Sequence, residues 1–314
     1  MKLIIQIPCY NEESSLPITL SELPRTVPGF DTVEWLIIDD GSTDNTVEVA
    51  KNCGVDHIET HPHNKGLAKA FMTGLEACLA LGADVIVNTD ADNQYLGSDI
   101  KKLVIPILNR EAEIVIGARP TSDIAHFSPV KKLLQRLGSW VVRVVSGTDI
   151  PDAPSGFRAF SSDAAKKLMV FSEYTYTLET IIQAGQKNIP ICSVPIRTNA
   201  DLRPSRLVRS LPSYIIKSFI TIVRIFVVYR PFRFFMTVGS ILFFIGFLIG
   251  VRFIWFYFTD QATGHIQSLI LASVFLGMGF QTMLIAFVAD LLAANRLLLE
   301  EQRQRSFARG NRPQ

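Results

Sequence analysis

The stretch NTDADNQY, residues 88–95, sets Asp90 and Asp92 one residue apart, with Asn93 and Gln94 beside them. Two carboxylates next to a carboxamide offer hard oxygen ligands. Mg2+ or Mn2+ accepts such ligands and completes its shell with phosphate oxygens. Such an ion would offset the repulsion between an anionic substrate and an acidic site. Asp and Asn are also ordinary turn formers, so this spacing alone leaves both readings open. Other polar stretches add candidates. In IIDDGSTDNT, Asp39 and Asp40 are acceptors suited to a base or a ribose, and Tyr10 in IPCYNEE can stack on or flank a base. DGSTD is equally a good turn and helix cap. In NKGLAKA, Lys65 and Gly66 stand at a helix start, where a cation and free amides suit phosphate; a glycine-assisted helix start is the plainer alternative. GARP supplies Arg119, and PVKKLLQRLGSW supplies Lys131, Lys132 and Arg136. A solvated helix face is the alternative for these lysines. His57, His61 and His63 in HIETHPHN lack a cysteine or carboxylate to complete a tetrahedral set, so zinc is not expected.

Something must hold these residues together. LIIQIP (3–8), EWLIID (34–39), ADVIVN (83–88) and EIVIGA (113–118) read as strands buried on both faces. Between them lie helical patterns. DNTVEVAKN follows Ser42 and Thr43, good cap residues, and NKGLAKAFMTGLEACLALG puts Leu67, Ala70, Phe71, Leu75 and Cys78 on one face. Alternating strand and helix predicts a mostly parallel α/β sheet with helices on both faces. Ligands in such sheets sit at the carboxyl ends of the strands. Each strand here ends in a polar cluster: CYNEE, DDGSTD, TDADNQ, ARP.

The chain has 314 residues, 48% of them hydrophobic, and a net charge of only +2. Its mean hydropathy of +0.26 is high for a soluble protein. No global field points to nucleic acid, and the four scattered cysteines read as reduced thiols of a cytoplasmic domain. The N-terminus turns acidic too early for a secretory signal. The apolar excess lies after Pro231. Arg209, Lys217, Arg224 and Arg230 recur through an apolar segment, as on amphipathic helices at a membrane surface. Uncharged runs from Phe234 to Val251 and from Ile266 to Ala289 predict two transmembrane helices. Basic residues before the first run and after the second, and none in TDQATGH, put both ends on the cytoplasmic side. Arg252 can snorkel, Trp255 and Tyr257 fit an outer aromatic belt, and Gly246 with Gly250 forms a GxxxG spacing. The expected divisions are a catalytic domain over 1–206, juxtamembrane helices over 207–231, a transmembrane hairpin over 232–295 and a basic tail over 296–314.

In their order, IPCYNEE, IIDDGSTDNT, NKGLAKAFMTGL, NTDADNQY, IGARP and SGFRAF resemble family 2 glycosyltransferases over roughly residues 1–210. The branch most similar is that of the dolichyl- or polyprenyl-phosphate sugar synthases. The resemblance implies a GT-A, Rossmann-like fold, a nucleotide-sugar donor, a divalent metal and inversion at the anomeric carbon. By that likeness Pro8, Tyr10, Glu12, Asp39 and Asp40 surround the nucleoside. Asp90, Asp92 and Gln94 sit at the metal and the diphosphate. Arg203 and Arg206 in DLRPSRL fall where the branch has a basic loop that closes on the diphosphate. Arg119 and a basic residue near Lys131 hold the acceptor phosphate; the branch often has arginine and serine where Lys131 and Gln135 stand here. SGFRAFS lines the sugar pocket, with Arg158 either on an acidic neighbour or on substrate. No QxxRW, the mark of processive polysaccharide synthases, is present. A phosphate acceptor fits the want of an obvious base. A lipid monophosphate is largely dianionic at neutral pH and attacks without losing a proton, whereas a sugar hydroxyl needs a carboxylate aimed at it. Asp152 and Glu179 remain as spare carboxylates, Asp152 shaping the acceptor site or serving structure. The reading is a membrane-anchored inverting transferase of one sugar, from a UDP- or GDP-linked donor to a polyprenyl or dolichyl phosphate. Transfer to another lipid or a glycan, and a non-catalytic scaffold, are the rivals. A homo-oligomer is compatible with the sequence but not required by it.

Overall fold

The aliphatic run at the N-terminus forms β1 (Lys2–Cys9), buried from Leu3 onward, as a strand covered on both faces must be. In this computed structural model the described residues are 1–120, 129–170, 176–199, 220, 223–224, 227–259 and 266–310, with the backbone alone for 129–137, 296, 297, 300, 301 and 303–310. β1 lies between β2 (Thr32–Asp39) and β4 (Val85–Asn88), parallel to both. β3 (His57–Thr60) continues the parallel run beyond β2. β6 (Arg158–Ser161) is antiparallel to β4 and to β5 (Ile114–Ala118), and β7 (Ile191–Pro195) is parallel to β5. The order is β3-β2-β1-β4-β6-β5-β7, so one strand of seven breaks an otherwise parallel sheet. The four expected strands are all present. β6 and β7 were not anticipated: both are short, and β6 lies in the stretch read as pocket lining.

Register explains why the polar clusters meet. Cys9 pairs with Asp39, Gln6 with Asn88, and Asn88 with Arg158. The carboxyl ends of β1, β2, β4 and β5 therefore share one edge, and the antiparallel β6 starts from that same edge.

Helices cover both faces. α1 (Leu16–Glu22), α2 (Thr46–Asn52) and α4 (Ile100–Leu108) bury Leu16, Leu20, Ala50, Ile100, Leu103 and Val104 against Leu3, Ile5 and Ile7 of β1. Each fully buried aliphatic side chain of that layer contributes about 1.5–3 kcal/mol. α3 (Leu67–Ala80) covers the opposite face, and a Cβ on its Gly74 would stand 2.4 Å from Gln6 Oε1 of β1. Leu67, expected on the buried face of α3, is exposed, because the helix begins there at the sheet edge. The cap of α2 is also displaced. Asn45 takes the cap position, and Ser42 and Thr43 instead bond to Asn11 across the edge. α5 (Pro129–Ser146), α6 (Ser162–Lys167) and α7 (Thr177–Gln186) complete this part. Tyr176, at the α7 cap, stacks on Phe71 of α3 at 3.9 Å.

The chain divides into compact units Met1–Ser218 and Phe219–Gln314. The second holds α8 (Pro231–Phe258) and α9 (Ile266–Gly310). Pro231–Phe258 and Ile266–Asn295 are long and apolar enough to cross a membrane, with mean hydropathies of 2.4 and 2.0. Only 11% and 17% of these windows are buried, whereas the core helix of a soluble protein is mostly buried. α8 and α9 pack antiparallel through small residues. A Cβ on Gly239 would meet Gly279 O at 2.9 Å, and one on Gly246 would meet Leu276 N at 2.7 Å. Ala272 and Ala286 of α9 are buried as well. Small residues thus recur every seventh position on both helices. The GxxxG expectation is half right: Gly246 lies in the contact, while Gly250 faces open space.

Candidate active site

The loops after β1 and β2 are sewn together. Asn11, at φ 54°, donates its N–H to Ser42 Oγ (2.9 Å), and its Oδ1 accepts from Thr43 N (2.8 Å). Glu12 N donates to Thr46 Oγ1 at 2.8 Å. Asp39, buried, accepts from Ser42 N at 3.0 Å. Asp40 is more fully engaged. Its Oδ1 meets His61 Nδ1 at 2.7 Å and Lys65 N at 2.9 Å, and its Oδ2 accepts from Gly66 N at 2.8 Å. The amides expected to be free for phosphate are therefore satisfied by Asp40, and the Asp40 carboxylate, expected beside the nucleoside, is turned to His61, Lys65 N and Gly66 N instead; the Lys65 side chain is exposed. Pro8 is buried within β1 beside Ile38, and Tyr10 is 40% exposed at its end. The histidines have ordinary partners: His61 adds Thr73 Oγ1 at 3.0 Å, and His57 meets Glu34 at 2.8 Å.

The loop after β4 is braced from three sides. From α1, Thr19 Oγ1 donates to Ala91 O at 2.9 Å. Asn93, at φ 56°, donates its Nδ2 to Glu22 Oε1 at 3.2 Å. The residues after β7 form a strap: Asn199 N donates to Gln94 O at 2.9 Å, and Asn199 Nδ2 to Asn93 O and Glu22 Oε2, both at 3.0 Å. Arg197 donates through its backbone N (2.8 Å) and Nη2 (2.7 Å) to the buried Asp99. The third brace runs beneath. Asn88 Nδ2 donates to Gly156 O (2.9 Å) and Tyr176 OH (2.8 Å), and Tyr95 OH accepts from Gly156 N at 3.1 Å. Gly156 has to lack a side chain, because a Cβ there would stand 2.9 Å from Asp90 Oδ2.

Within this frame the acidic pair is out of electrostatic balance. Burial first, and then the neighbouring charge of Asp92, pushes the Asp90 carboxyl up to about 7; Arg119 and Arg158 pull it back, and Glu12 pushes it further. Asp92 Oδ1 accepts from Gln94 N at 3.1 Å. The nearby guanidiniums bond elsewhere. Arg119 grips the buried Asp152 through Nε (2.8 Å) and Nη2 (3.0 Å), and its backbone N donates to the same carboxylate at 3.1 Å. Arg158 is fully buried, and burial draws its pKa down to about 10. It donates to Ser155 O, Thr177 O and Ala153 O, each at 2.7 Å, and to Thr180 Oγ1. Carbonyls and a hydroxyl take the place of the acidic partner weighed for Arg158. Among the described residues, Asn93 Oδ1, Ser139 Oγ and Ser155 Oγ are buried without a hydrogen-bond partner. Among the described residues no cluster of three or more His, Cys, Asp or Glu could hold a metal ion by itself. Two hard carboxylates with no ion pair to a cation among the described residues fit Mg2+ or Mn2+ with phosphate completing the shell, and they do not fit zinc.

The structure brings Tyr10, Glu12, Asp39, Asp40, Asp90, Asp92, Gln94 and Arg119 to one edge of the sheet. Arg203 and Arg206 lie outside the described residues. Lys131 and Gln135 lie on α5, where the backbone alone is described. Sequence reasoning missed Asn88, Gly156 and the strap at Arg197 and Asn199. Of these, Asn88 and Gly156 stood in motifs that had been singled out, NTDADNQY and SGFRAF.

The pattern of the family described as "Glycosyl transferase family 2" matches residues 4–169. The chain is 32% identical over 213 residues to the UDP-N-acetylglucosamine–dolichyl-phosphate N-acetylglucosaminyltransferase of Methanococcus voltae, covering 61% of this chain and 83% of that one. It is 28% identical over 206 residues to an undecaprenyl-phosphate mannosyltransferase of Micrococcus luteus, covering 62% of this chain and 83% of that one. Among solved structures, glucosyl-3-phosphoglycerate synthase of Mycobacterium tuberculosis, in complex with Mn2+ and UDP-glucose, superposes with a TM-score of 0.54 at 19% identity, over 70% of this chain and 78% of that one. This last likeness concerns the fold.

Proposed function

Since the chain belongs to glycosyl transferase family 2, and is thus a glycosyltransferase, we propose that it moves a single sugar from a nucleotide-diphosphate sugar to a polyprenyl or dolichyl phosphate, with inversion, at the cytoplasmic face of a membrane. The observation that carries this reading is the half-buried pair Asp90 and Asp92 at the carboxyl end of β4, where desolvation and like charge push the Asp90 carboxyl up to about 7. Such a pair suits a site whose missing positive charge arrives with the substrate. The named relatives that use dolichyl and undecaprenyl phosphate support the acceptor, and the two apolar helices support a lipid. A UDP-linked donor is the first choice, because the Methanococcus voltae relative is named for one.

In this proposal Pro8, Tyr10, Glu12 and Asp39 surround the nucleoside. Asp40 fixes the turn that presents Lys65, and Arg203 and Arg206 reach the diphosphate. Asp90, Asp92 and Gln94 hold Mg2+ or Mn2+, which supplies positive charge against the departing nucleoside diphosphate. Asp152 locks the fork of Arg119 so that it meets the acceptor phosphate together with Lys131 and Gln135. A phosphate oxygen of the lipid then attacks the anomeric carbon opposite the leaving group. It bears no proton, so no general base is needed. The proposed divisions are catalysis over 1–206, juxtamembrane helices over 207–231, the hairpin over 232–295 and a tail over 296–314.

The test is a screen of UDP- and GDP-sugars against undecaprenyl and dolichyl monophosphate, with and without Mn2+. Metal-dependent product on a phosphate lipid is expected. Product formed equally well on diacylglycerol would overturn the acceptor.

A further inference from the structure

α5 contains no acidic residue and four basic ones, Lys131, Lys132, Arg136 and Arg143. Its last two turns separate into two sides. Ser139, Val141, Val142, Val145 and Ser146 are buried, while Trp140 and Val144, one turn apart, are 53% and 51% exposed. Arg143 stands between them and is paired at 3.5 Å with the fully exposed Asp149 beyond the helix end, an ion pair that contributes little. The chain has two other tryptophans. Trp35 is buried, and Trp255 lies on α8. Trp140 is thus the tryptophan that the first unit leaves in solvent, and it does so on a helix.

Counting back along the α5 backbone in steps of three and four, the Trp140 side is also that of positions 133, 136 and 137. These are Leu, Arg and Leu. Tryptophan and aliphatic residues in one strip, on a helix whose charged residues are all Lys or Arg, are the composition of a helix lying in the headgroup layer. A second copy of the same strip is disfavoured as the occupant, because an isologous contact would set the basic patch against itself.

We propose that the Trp140–Val144 face of α5 docks on the surface of an anionic bilayer. The inference rests on the membrane reading of α8 and α9, not on the transfer chemistry. Positions 131 and 135 fall by spacing on the other side of α5, in line with the buried Val142. The helix would therefore face lipid on one side and the proposed acceptor phosphate site on the other.

Fluorescence tests this directly. The full chain carrying Trp35→Phe and Trp255→Phe, reconstituted into phosphatidylglycerol-containing vesicles, leaves Trp140 as the reporter. Brominated lipid should quench its emission roughly twofold, and acrylamide should reach it poorly. Lys132→Glu with Arg136→Glu should abolish the bromine effect. A Trp140 open to acrylamide and indifferent to bromine would overturn the proposal. Shielding without bromine quenching would point to a protein partner and overturn it as well, and so would equal quenching in purely zwitterionic vesicles. If Trp35→Phe does not fold, the difference between the wild-type chain and Trp140→Phe gives the same reading. No arm depends on sugar transfer, so failure of the activity screen leaves the result interpretable.

Discussion

The carboxylates at the end of β2 and those at the end of β4 sit on neighbouring parts of one sheet edge, in opposite electrostatic circumstances. Asp40 is buried among donors of its own chain: an imidazole and two backbone amides within 2.9 Å. Asp90 lies half-buried beside another carboxylate, and the guanidiniums that act on it are engaged with Asp152 and with backbone carbonyls. The first arrangement is complete without a ligand and serves the fold. The second sets like charges side by side, and in the proposed reading it serves function. Burial of a carboxylate does not tell the two apart; the identity of its neighbours does.

Asp92→Ala is the strongest way to break this contrast. Transfer should fall at least about a thousandfold, the loss of several kcal/mol of charge stabilisation. The melting temperature should hold or rise, because a like charge has been removed. Assay and thermal scan together check it, and a variant that both unfolds and loses activity would erase the distinction. Asp40→Ala should do the reverse. It strands three donors, a loss of about 2–4 kcal/mol, while the folded protein keeps its affinity for Mn2+. Glycines sharpen the comparison further. Gly156→Ala puts a Cβ 2.9 Å from Asp90 Oδ2 and should weaken metal-dependent transfer roughly tenfold through misplacement. Gly41→Ala, at φ +73° and 2.6 Å from His63 C, should chiefly lower the melting temperature.

The smallest effect concerns another carboxylate, the buried Asp99. Burial alone would raise Asp99, but hydrogen bonds from the Arg197 side chain and backbone, with Lys102, bring it down to about 2. A depressed folded-state pKa gives stability that is complete above the unfolded value near 4 and lost as pH falls through about 2. Because Arg197 is largely exposed, the loss is on the order of 1–2 kcal/mol after allowance for screening. Unfolding measured between pH 5 and pH 2 should show it, and Arg197→Gln should flatten it.

How much of this was written in the sequence follows from range. LIIQIP and ADVIVN announce strands because short, mostly apolar runs fit burial on both faces, and Asp90-x-Asp92 announces itself by residue type. The task of Asp40 could not be read: its partners stand 21 to 26 residues away and arrive only through the strand order. The same holds for Asn199, which reaches Asn93 across 106 residues. RAFS is too short and mixed to declare a strand, yet it reverses direction inside the sheet and sets Gly156 against Asp90. In the second unit the four-residue glycine spacing was visible, but the contact uses a seven-residue one that needs both helices to be seen. Arg203 and Arg206 remain expectations.

The central claim is that the β4 pair takes a divalent cation together with nucleoside diphosphate. Titration of Mn2+ into the purified protein, followed by electron paramagnetic resonance with and without UDP, tests it most directly. One tightly held Mn2+ per chain, strengthened by UDP, lost in Asp92→Ala and kept in Asp40→Ala, is the predicted result. Equal Mn2+ binding by the wild-type chain and Asp92→Ala would contradict it.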